Sequence, residues 1–281
     1  MAKHYEALQR AEAERKRKAG ADSAADPLAD WAPTPQSFTA PRRRIRDRLG
    51  SLRRKKAPLG DTANEINKRR ISILQPESFA SEQFRMLRGR IDALSTQQRL
   101  QTVSVTSANP GDGKSMASIN LAVVTAMSVG RKVLLIDCDL RRPKIHTTLG
   151  LELRSGLAEV LQQSATFDES VVTVDSLSLD VLAVCSLPTN PSELLASAEM
   201  TKMLATACDA YDQIILDTPA CLGLPDGKTV SELSDGVILV VRADVTRQDD
   251  VEAVLEILDR RRLIGMVLNG VEATRGQYGY Y

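Results

Sequence analysis

The residues best suited to chemistry occupy positions 108–115, which read Ala-Asn-Pro-Gly-Asp-Gly-Lys-Ser. The two glycines leave room for several backbone N–H groups to converge on phosphate oxygens, and a helix that begins at Lys114 adds a favourable partial positive charge. The ammonium of Lys114 is suited to terminal phosphates and the hydroxyl of Ser115 to Mg²⁺. The spacing therefore predicts a phosphate-binding loop, with contacts from Asn109, Pro110, Gly111, Asp112, Gly113, Lys114, Ser115 and Met116.

Carboxylates follow two aliphatic runs further along the chain. Asp137 and Asp139 come after residues 132–136, and Asp217 comes after residues 213–216. A continuous aliphatic run predicts a buried parallel strand, and ligands of open α/β sheets bind at the carboxyl ends of the strands. On a continuing strand Asp137 and Asp139 would point the same way. We therefore predict a magnesium site formed by Ser115, Asp137 and Asp217, with one carboxylate left as a proton acceptor; a plain polar turn is the alternative.

Alternating strands and helices are expected to position these groups. Aliphatic, β-branched runs predict strands near residues 101–107, 132–137, 181–184, 211–217, 236–241 and 263–268. Helices are predicted at about 77–94, 114–129 and 247–258, and Asn190-Pro191-Ser192-Glu193 is typical of a capped helix start. This order predicts an α/β fold with a doubly wound, mainly parallel sheet and helices on both faces.

The net charge of +1 hides a strong asymmetry along the 281 residues. Residues 1–70 contain 18 Lys/Arg and 9 Asp/Glu, a net charge of +9, whereas the remainder carries −8. We predict a basic, largely disordered N-terminal arm over residues 1–75, rich in Ala, Pro and Ser. Its basic runs are compatible with a solvated tail or with contact to anionic lipid, whereas nucleic-acid binding is disfavoured because no aromatic residues interleave with the bases.

Cysteine usage and hydropathy indicate the cellular compartment in which the protein is expected. The four cysteines have no CxxC or metal-type spacing and lie within or beside apolar runs, which favours buried, reduced thiols and a cytosolic location. No apolar run approaches the length of a membrane span, and the polar N-terminus does not resemble a signal peptide. We therefore expect a protein that is soluble or bound peripherally to a membrane.

Two further patterns concern assembly and modification. Glu82, Arg85 and Arg88 recur every three residues on the helix predicted at 77–94, which fits either local salt bridges or a contact with a neighbouring subunit. Three of the five tyrosines fall in the last four residues, at Tyr278, Tyr280 and Tyr281. We predict that residues 272–281 form a flexible tail whose tyrosines accept phosphate; an aromatic tail docked on a surface is the alternative.

Taken together, these motifs resemble the bacterial tyrosine kinases in their cytoplasmic form, which is associated with capsule and exopolysaccharide synthesis. The resemblance covers about residues 76–281, with the kinase domain at 76–271. It rests on the phosphate loop, a deviant Walker A sequence of the P-loop NTPase fold, and on the two acidic strand ends. It rests also on the Glu82 helix, the segment at residues 190–195 and the terminal tyrosines.

The resemblance implies an ATP- and Mg²⁺-dependent autokinase that phosphorylates the tail of a neighbouring subunit within a ring of up to eight copies and so regulates polymer synthesis or export. Its catalytic residues would be Lys114, Asp137, Asp139, Asp217 and Arg141, with Asp137 as the candidate base. The family also implies a separate transmembrane adaptor of the chain-length-determinant type, and a location at the inner face of the cytoplasmic membrane.

Some features depart from the family pattern or leave alternatives open. Ala220 stands where the family often has a second proline, which predicts a less rigid loop after Asp217. A ParA/MinD-type positioning ATPase shares the fold, but it usually carries a lysine where this chain has Asn109; a non-catalytic, nucleotide-gated scaffold is a third possibility. Arg242 and Asn269, at the ends of late strands, are candidates for contacting the nucleotide base or for a simple strand-end role.

Overall fold

In the computed structural model of the protein, the described residues are 55–57 and 78–271, and both ranges lie in one compact unit, Ser51–Tyr281. The rest of the predicted basic arm and the predicted tyrosine tail lie outside the described residues. Among the described residues, no helix is long and apolar enough to cross a membrane.

The strands of the described region form one sheet. They are β1 Lys55–Ala57, β2 Thr102–Ser107, β3 Val133–Asp137, β4 Val172–Val174, β5 Leu179–Leu182, β6 Gln213–Asp217, β7 Gly236–Arg242 and β8 Leu263–Asn269.

Helices connect most of these strands. They are α1 Phe79–Leu94, α2 Lys114–Ala126, α3 Ile145–Leu149, α4 Leu157–Leu161, α5 Phe167–Ser170, α6 Pro191–Leu195, α7 Ala198–Ala210, α8 Asp226–Glu232 and α9 Gln248–Ile257, with a short 3₁₀ turn at Asp175–Leu177.

The strand order confirms the predicted doubly wound sheet. The order is β1-β4-β5-β3-β6-β2-β7-β8, and the pairs from β5 through β8 are parallel. β4 pairs antiparallel with β5, and β1 pairs parallel with β4, so a short reversed edge completes the sheet. The sequence analysis missed β4 because its three residues are too few for a periodic pattern. β1 lies inside the range predicted as the arm.

Alternate side chains of the central strands serve two separate cores. In β3, Val133 and Leu135 join the cluster formed with α2, whereas Leu134 and Ile136 join the cluster formed with α4 and α7. Each of these side chains is 2% exposed or less. Helices therefore cover both faces of the sheet, as predicted, and a strand buried on both faces, such as β3, is a continuous aliphatic run up to its final aspartate.

Four predicted details differ in the structure. The last strand, β8, is only partly buried, since Met266 and Leu268 are about 60% exposed at the end of the sheet. Asn190 precedes α6 but makes no side-chain capping bond, because its backbone is not in the extended conformation typical of that position. Cys185 is exposed in the loop after β5, and Cys208 is only half-buried; Cys138 and Cys221 are buried as expected.

The buried strand β3 and the partly exposed strand β8 should respond differently when a side chain is truncated to alanine. Leu134→Ala should lower the free energy of unfolding by about 3 kcal/mol, because a fully buried leucine leaves a cavity. Met266→Ala, on the exposed face of β8, should change it by less than about 0.5 kcal/mol. Urea denaturation of the two variants checks this, and equal losses would contradict the burial described for the two strands.

Candidate functional site

The loop between β2 and α2 adopts a conformation that depends on its glycines. Gly111 and Gly113 have φ angles of +93° and +100°, in the left-handed region that side chains disfavour. A Cβ atom on Gly113 would also lie 2.0 Å from the side-chain nitrogen of Asn269. The loop therefore needs glycine at position 113 for both its backbone angle and its packing. Lys114 follows as the first residue of α2.

Side chains from elsewhere hold this loop in place. The Asp112 carboxylate accepts hydrogen bonds from the backbone N–H of Asn109 at 2.9 Å and from the Thr246 hydroxyl at 2.8 Å. The side-chain amide of Asn109 donates to Asp250, on α9, at 2.9 Å. Asp112 and Asn109 thus serve as ties between the loop and the segment after β7.

Arg242 and Asn269 are brought to the same loop. Arg242 donates to the carbonyl of Gly111 at 3.2 Å, and Asn269 donates to the carbonyl of Asp112 at 2.9 Å. Both strand ends therefore support the loop, which is the simpler of the two roles expected from the sequence. Their contact with a nucleotide base stays a prediction.

Lys114 and Asp139 form an ion pair in this site. The ammonium nitrogen lies 3.2 Å from a carboxylate oxygen, and both side chains are about one-tenth exposed. The expectation that Asp139 continues the line of Asp137 along a strand was wrong, because β3 ends at Asp137 and the chain turns there. The turn brings Asp139 to the lysine while its backbone N–H donates to Asp137.

Asp137 and Asp217 end two neighbouring parallel strands and are direct partners in the register of β3 and β6. Neither side chain is exposed. The oxygens of Asp137 accept hydrogen bonds from the backbone N–H groups of Asp139, Lys144 and Ile145 at 3.0–3.1 Å. The Oδ1 atom of Asp217 accepts from the hydroxyl of Ser118 at 3.1 Å.

Burial of these two carboxylates disfavours their ionised forms, so their pKa values rise. Loss of solvent, followed by the charge of Asp217, raises the pKa of Asp137 to about 7. Loss of solvent raises the pKa of Asp217 to about 6, although Lys114 and the hydroxyls of Ser115 and Ser118 act in the opposite direction. A cation between or beside the pair would relieve this cost.

The residues present fit a magnesium ion shared with nucleotide phosphates. The Oδ2 atom of Asp217 is buried and has no hydrogen-bond partner among the described residues, and oxygen donors such as this suit Mg²⁺. Within residues 78–271 there is no cluster of three or more His, Cys, Asp or Glu side chains able to hold a metal alone. Mg²⁺ commonly uses one or two carboxylates and completes its shell with water and phosphate, so the Ser115 hydroxyl and the Asp217 carboxylate fit its needs. That Asp137 also contributes a ligand stays a prediction.

A cleft of about 720 Å³ opens above the loop. Residues 110, 111 and 113–116 line it, together with Asp139 and Arg141. Asp137 does not line the cleft and is buried, with backbone N–H groups as its hydrogen-bond donors.

Two residues that the sequence analysis did not single out for the site hold Arg141. Asp226, at the start of α8, accepts from Arg141 Nε at 2.6 Å, and its side chain has no exposure. The Ser192 hydroxyl accepts from the same guanidinium at 2.9 Å and donates to Asp226 at 2.5 Å. The helix start at residues 190–193 could have pointed to Ser192, but nothing local in the sequence marks Asp226.

The Glu82 stripe makes local contacts. Arg85 forms an ion pair with Glu82 on the same helix; Glu82 is exposed and Arg85 is half-buried. Arg88 turns inward instead, and its guanidinium donates to the carbonyl of Val124 on α2 at 2.7 Å. The contact of this stripe with a neighbouring subunit stays a prediction.

Comparison with known proteins agrees with the chemistry of the site. A family model described as AAA domain matches residues 100–263. The chain is 39% identical over 214 residues to the tyrosine-protein kinase YwqD of Bacillus subtilis. The aligned region covers 75% of this chain and 90% of YwqD. The chain belongs to the bacterial tyrosine kinases. Some similar kinases are longer, and the chain spans about a third of their length.

Solved structures of bacterial tyrosine kinases have the same fold. The kinase domain of Escherichia coli tyrosine kinase ETK superposes with a TM-score of 0.70 at 29% identity and covers 80% of this chain and 94% of that one. A ParA family ATPase from Chlorobium tepidum also matches, with a TM-score of 0.52 at 21% identity and coverage of 62% and 75%. That second similarity shows the shared P-loop fold alone.

The raised pKa of Asp217 predicts a pH-dependent cost in the nucleotide-free protein. Between the unfolded value of 3.8 and the folded value of about 6, the folded chain binds more protons than the unfolded chain. Protonated Asp217 therefore contributes its full share to stability below about pH 4, and this share is lost as the pH rises through about 6. At pH 8 the free energy of unfolding of Asp217→Asn should exceed that of the wild type by roughly 2 kcal/mol, and the difference should shrink toward pH 4.

Urea denaturation in EDTA at a series of pH values measures the difference. Asp209→Asn is the matched control, because that carboxylate is exposed at the end of α7. An Asp217→Asn variant with the same stability difference at pH 5 and pH 8 would contradict the cost assigned to burial.

The loop geometry predicts that Gly113→Ala abolishes nucleotide binding, since the added methyl group meets Asn269 and the backbone angle is strained. Gly89→Ala provides the control, because a Cβ there meets nothing within 4 Å on α1; it should retain binding and gain up to about 1 kcal/mol of stability. Titration with a fluorescent ATP analogue tests both, and near-normal affinity in Gly113→Ala would refute the packing argument.

Proposed function

We propose that this kinase transfers the terminal phosphoryl group of ATP to tyrosines 278, 280 and 281 of a neighbouring copy and thereby regulates the synthesis or export of a capsule or exopolysaccharide. The observation that carries the proposal is the arrangement around the cleft. The glycine loop, Lys114, Asp139 and Arg141 all line the cleft, and two buried carboxylates, Asp137 and Asp217, end the paired strands β3 and β6.

In the proposed reaction, the tyrosine Oη atom attacks the γ-phosphorus of ATP. A new P–O bond forms to the tyrosine as the bond to the β-phosphate oxygen breaks, and ADP leaves. Phosphoryl transfer depends mostly on positioning and charge neutralisation. Backbone N–H groups of the loop and Lys114 would hold the phosphates. Ser115 and Asp217 would hold Mg²⁺, which would supply further positive charge when bound.

The tyrosine proton needs an acceptor, and Asp137 is the proposed one. Its pKa of about 7 is suited to accepting a proton near neutral pH. Asp137 is fully buried, whereas Asp139 lines the cleft and is paired with Lys114. Movement of Lys114 to the phosphates would release Asp139 to support the acceptor.

The Glu82 helix is the proposed contact between subunits of a ring. On α1, Glu82 is exposed and Arg85 is half-buried, and they pair only with each other in the described residues, so they can exchange partners at modest cost. Arg88 would have to leave its carbonyl partner to join such a contact. Ring formation would bring the tail of one subunit to the cleft of the next.

We also propose a separate transmembrane adaptor and a position at the inner face of the cytoplasmic membrane. The family resemblance supports the adaptor, and the charge of +9 on residues 1–70 supports contact with anionic lipid. Neither proposal depends on the chemistry of the cleft.

The test is incubation of the full chain with Mg·ATP, with its adaptor supplied, followed by phosphotyrosine mapping by mass spectrometry. Phosphate is expected on the terminal tyrosines of the wild type. It should be lost in Lys114→Met, because the phosphates lose their cation, and in the variant with Tyr278, Tyr280 and Tyr281 all changed to Phe.

A mixing experiment tests the transfer between copies. Lys114→Met protein, inactive but with an intact tail, should become phosphorylated when mixed with the triple Phe variant, which is active but lacks the tail tyrosines. ATP hydrolysis without any phosphotyrosine would instead favour a positioning ATPase.

A further inference from the structure

Arg141 lines the cleft together with Lys114 and Ser115, and side chains from two other elements hold its guanidinium group. The Nε–H group donates to Asp226 at 2.6 Å, and Nη2 donates to the hydroxyl of Ser192 at 2.9 Å. A guanidinium carries further N–H groups on its two terminal nitrogens. Within the described residues these have no hydrogen-bond acceptor, and the side chain is 37% exposed. They are therefore available to an anionic ligand in the cleft.

Close packing of the adjacent backbone fixes the position of Asp226. Its side chain has no exposure, and Gly227 follows it at the start of α8. A Cβ atom on Gly227 would lie 2.7 Å from the carbonyl oxygen of Pro219, so only glycine allows this approach. Because Pro219 comes two residues after Asp217, the carboxylate that binds Arg141 is fixed relative to the end of β6.

The segment at residues 190–195 was singled out in the sequence, and it supplies Ser192. The hydroxyl of Ser192 accepts from Arg141 and donates to Asp226 at 2.5 Å, so it contacts both members of the ion pair. Leu194 and Leu195 of the same helix are buried in the core cluster formed with α4 and α7. This burial anchors α6 and with it the hydroxyl that faces the arginine.

An ion pair of this kind contributes little to stability as such. Removing a carboxylate from water is costly, and the attraction to an arginine that is still partly hydrated offsets this cost only in part. A fixed cation is more useful in a cleft that binds phosphate. Phosphoryl transfer depends on positive groups that are already in position, and an unheld arginine would lose side-chain freedom each time it bound the transferring group.

We propose that Asp226 and Ser192 are positioning residues for the transfer reaction. They orient Arg141 so that its remaining N–H groups bind the oxygens of the phosphoryl group as the P–O bond to ADP breaks and the bond to the tyrosine Oη atom forms. The arginine neutralises charge in this step and exchanges neither electrons nor protons. This inference rests on the proposed function, because it assigns supporting residues to the same cleft.

The test combines kinetics with binding, on the full chain with its adaptor supplied. Tyrosine phosphorylation and ATP hydrolysis are followed together at saturating Mg·ATP. Asp226→Asn and Ser192→Ala should each lower kcat about 10- to 100-fold, because a displaced cation no longer meets the transferring group. The dissociation constant of Mg·ADP, measured by calorimetry, should change by less than about twofold, because ADP lacks that group. Ser192→Thr retains the hydroxyl and should restore most of the rate.

A double-mutant cycle separates positioning from a merely structural role. In an Arg141→Ala background, Asp226→Asn should cause no further loss of kcat, because the group that it positions is absent. Glu232→Gln is the matched control: it removes another carboxylate of α8, one that pairs with Lys228 at 3.7 Å on the surface, and should leave kcat unchanged. Ser192→Ala leaves the buried ion pair in place, so it decides the question if Asp226→Asn does not fold.

Three results would overturn the positioning role. They are additive losses of kcat in the cycle, an unchanged kcat in the folded variants, and a loss of Mg·ADP affinity as large as the loss of kcat. In the last case the arginine and its supports would serve nucleotide binding rather than transfer.

The positioning role and the proposed function fail separately. A chain that phosphorylates its tail with an unchanged kcat in the variants retains the proposed function and loses the positioning role. A chain that hydrolyses ATP without any phosphotyrosine loses the proposed function, and the same cycle measured on hydrolysis still decides the role of Asp226. A wild type with neither activity would contradict both.

Discussion

Asp137 and Asp217 are held side by side at the ends of two paired strands, where neither can reach water. Two like charges in such a place are costly, and the surrounding structure supplies what partly offsets the cost. Three backbone N–H groups point at Asp137, and Ser118 and Lys114 act on Asp217. The turn after β3 and the start of α2 can thus be understood as the environment that these two carboxylates require.

The same constraint favours a cation that arrives together with phosphate groups. Of the oxygens of this carboxylate pair, Asp217 Oδ2 has no hydrogen-bond partner among the described residues, and the loop before α2 offers backbone donors and a lysine. A divalent cation that arrives with phosphate groups satisfies both sides at once, whereas either alone leaves one charge uncompensated. The loop itself is already held by Thr246, Asp250 and Asn269, so little of it must be ordered upon binding.

Local sequence was sufficient for the parts of the fold with strong periodicity. Long aliphatic runs were enough to predict the strands that end at Asp137 and Asp217. The paired glycines were enough to predict the loop at residues 108–115. The pairing of Lys114 with Asp139 and the anchoring of Arg141 by Asp226 could not be predicted in this way. These contacts join residues 25 and 85 positions apart, and only the strand order brings them together.

Exposure was the other property that sequence could not supply. Residues 263–268 are as aliphatic as a central strand, but β8 lies at the end of the sheet and one of its faces is left partly uncovered. Cys185 has apolar neighbours in sequence and is nevertheless exposed, because the chain leaves the sheet after Leu182. Burial depends on what packs against a segment, and that information is distributed over the whole chain.

The contact between Asn269 and the phosphate loop has a kinetic consequence. Val271 lies two residues beyond that contact, so the terminal segment is tethered close to the chain's own cleft. Seven extended residues from Val271 to Tyr278 span at most about 25 Å. A short tether of this kind gives its end an effective local concentration of about millimolar. If the tail tyrosines are substrates, those of another copy would compete with the chain's own, which chain length alone allows to reach the cleft.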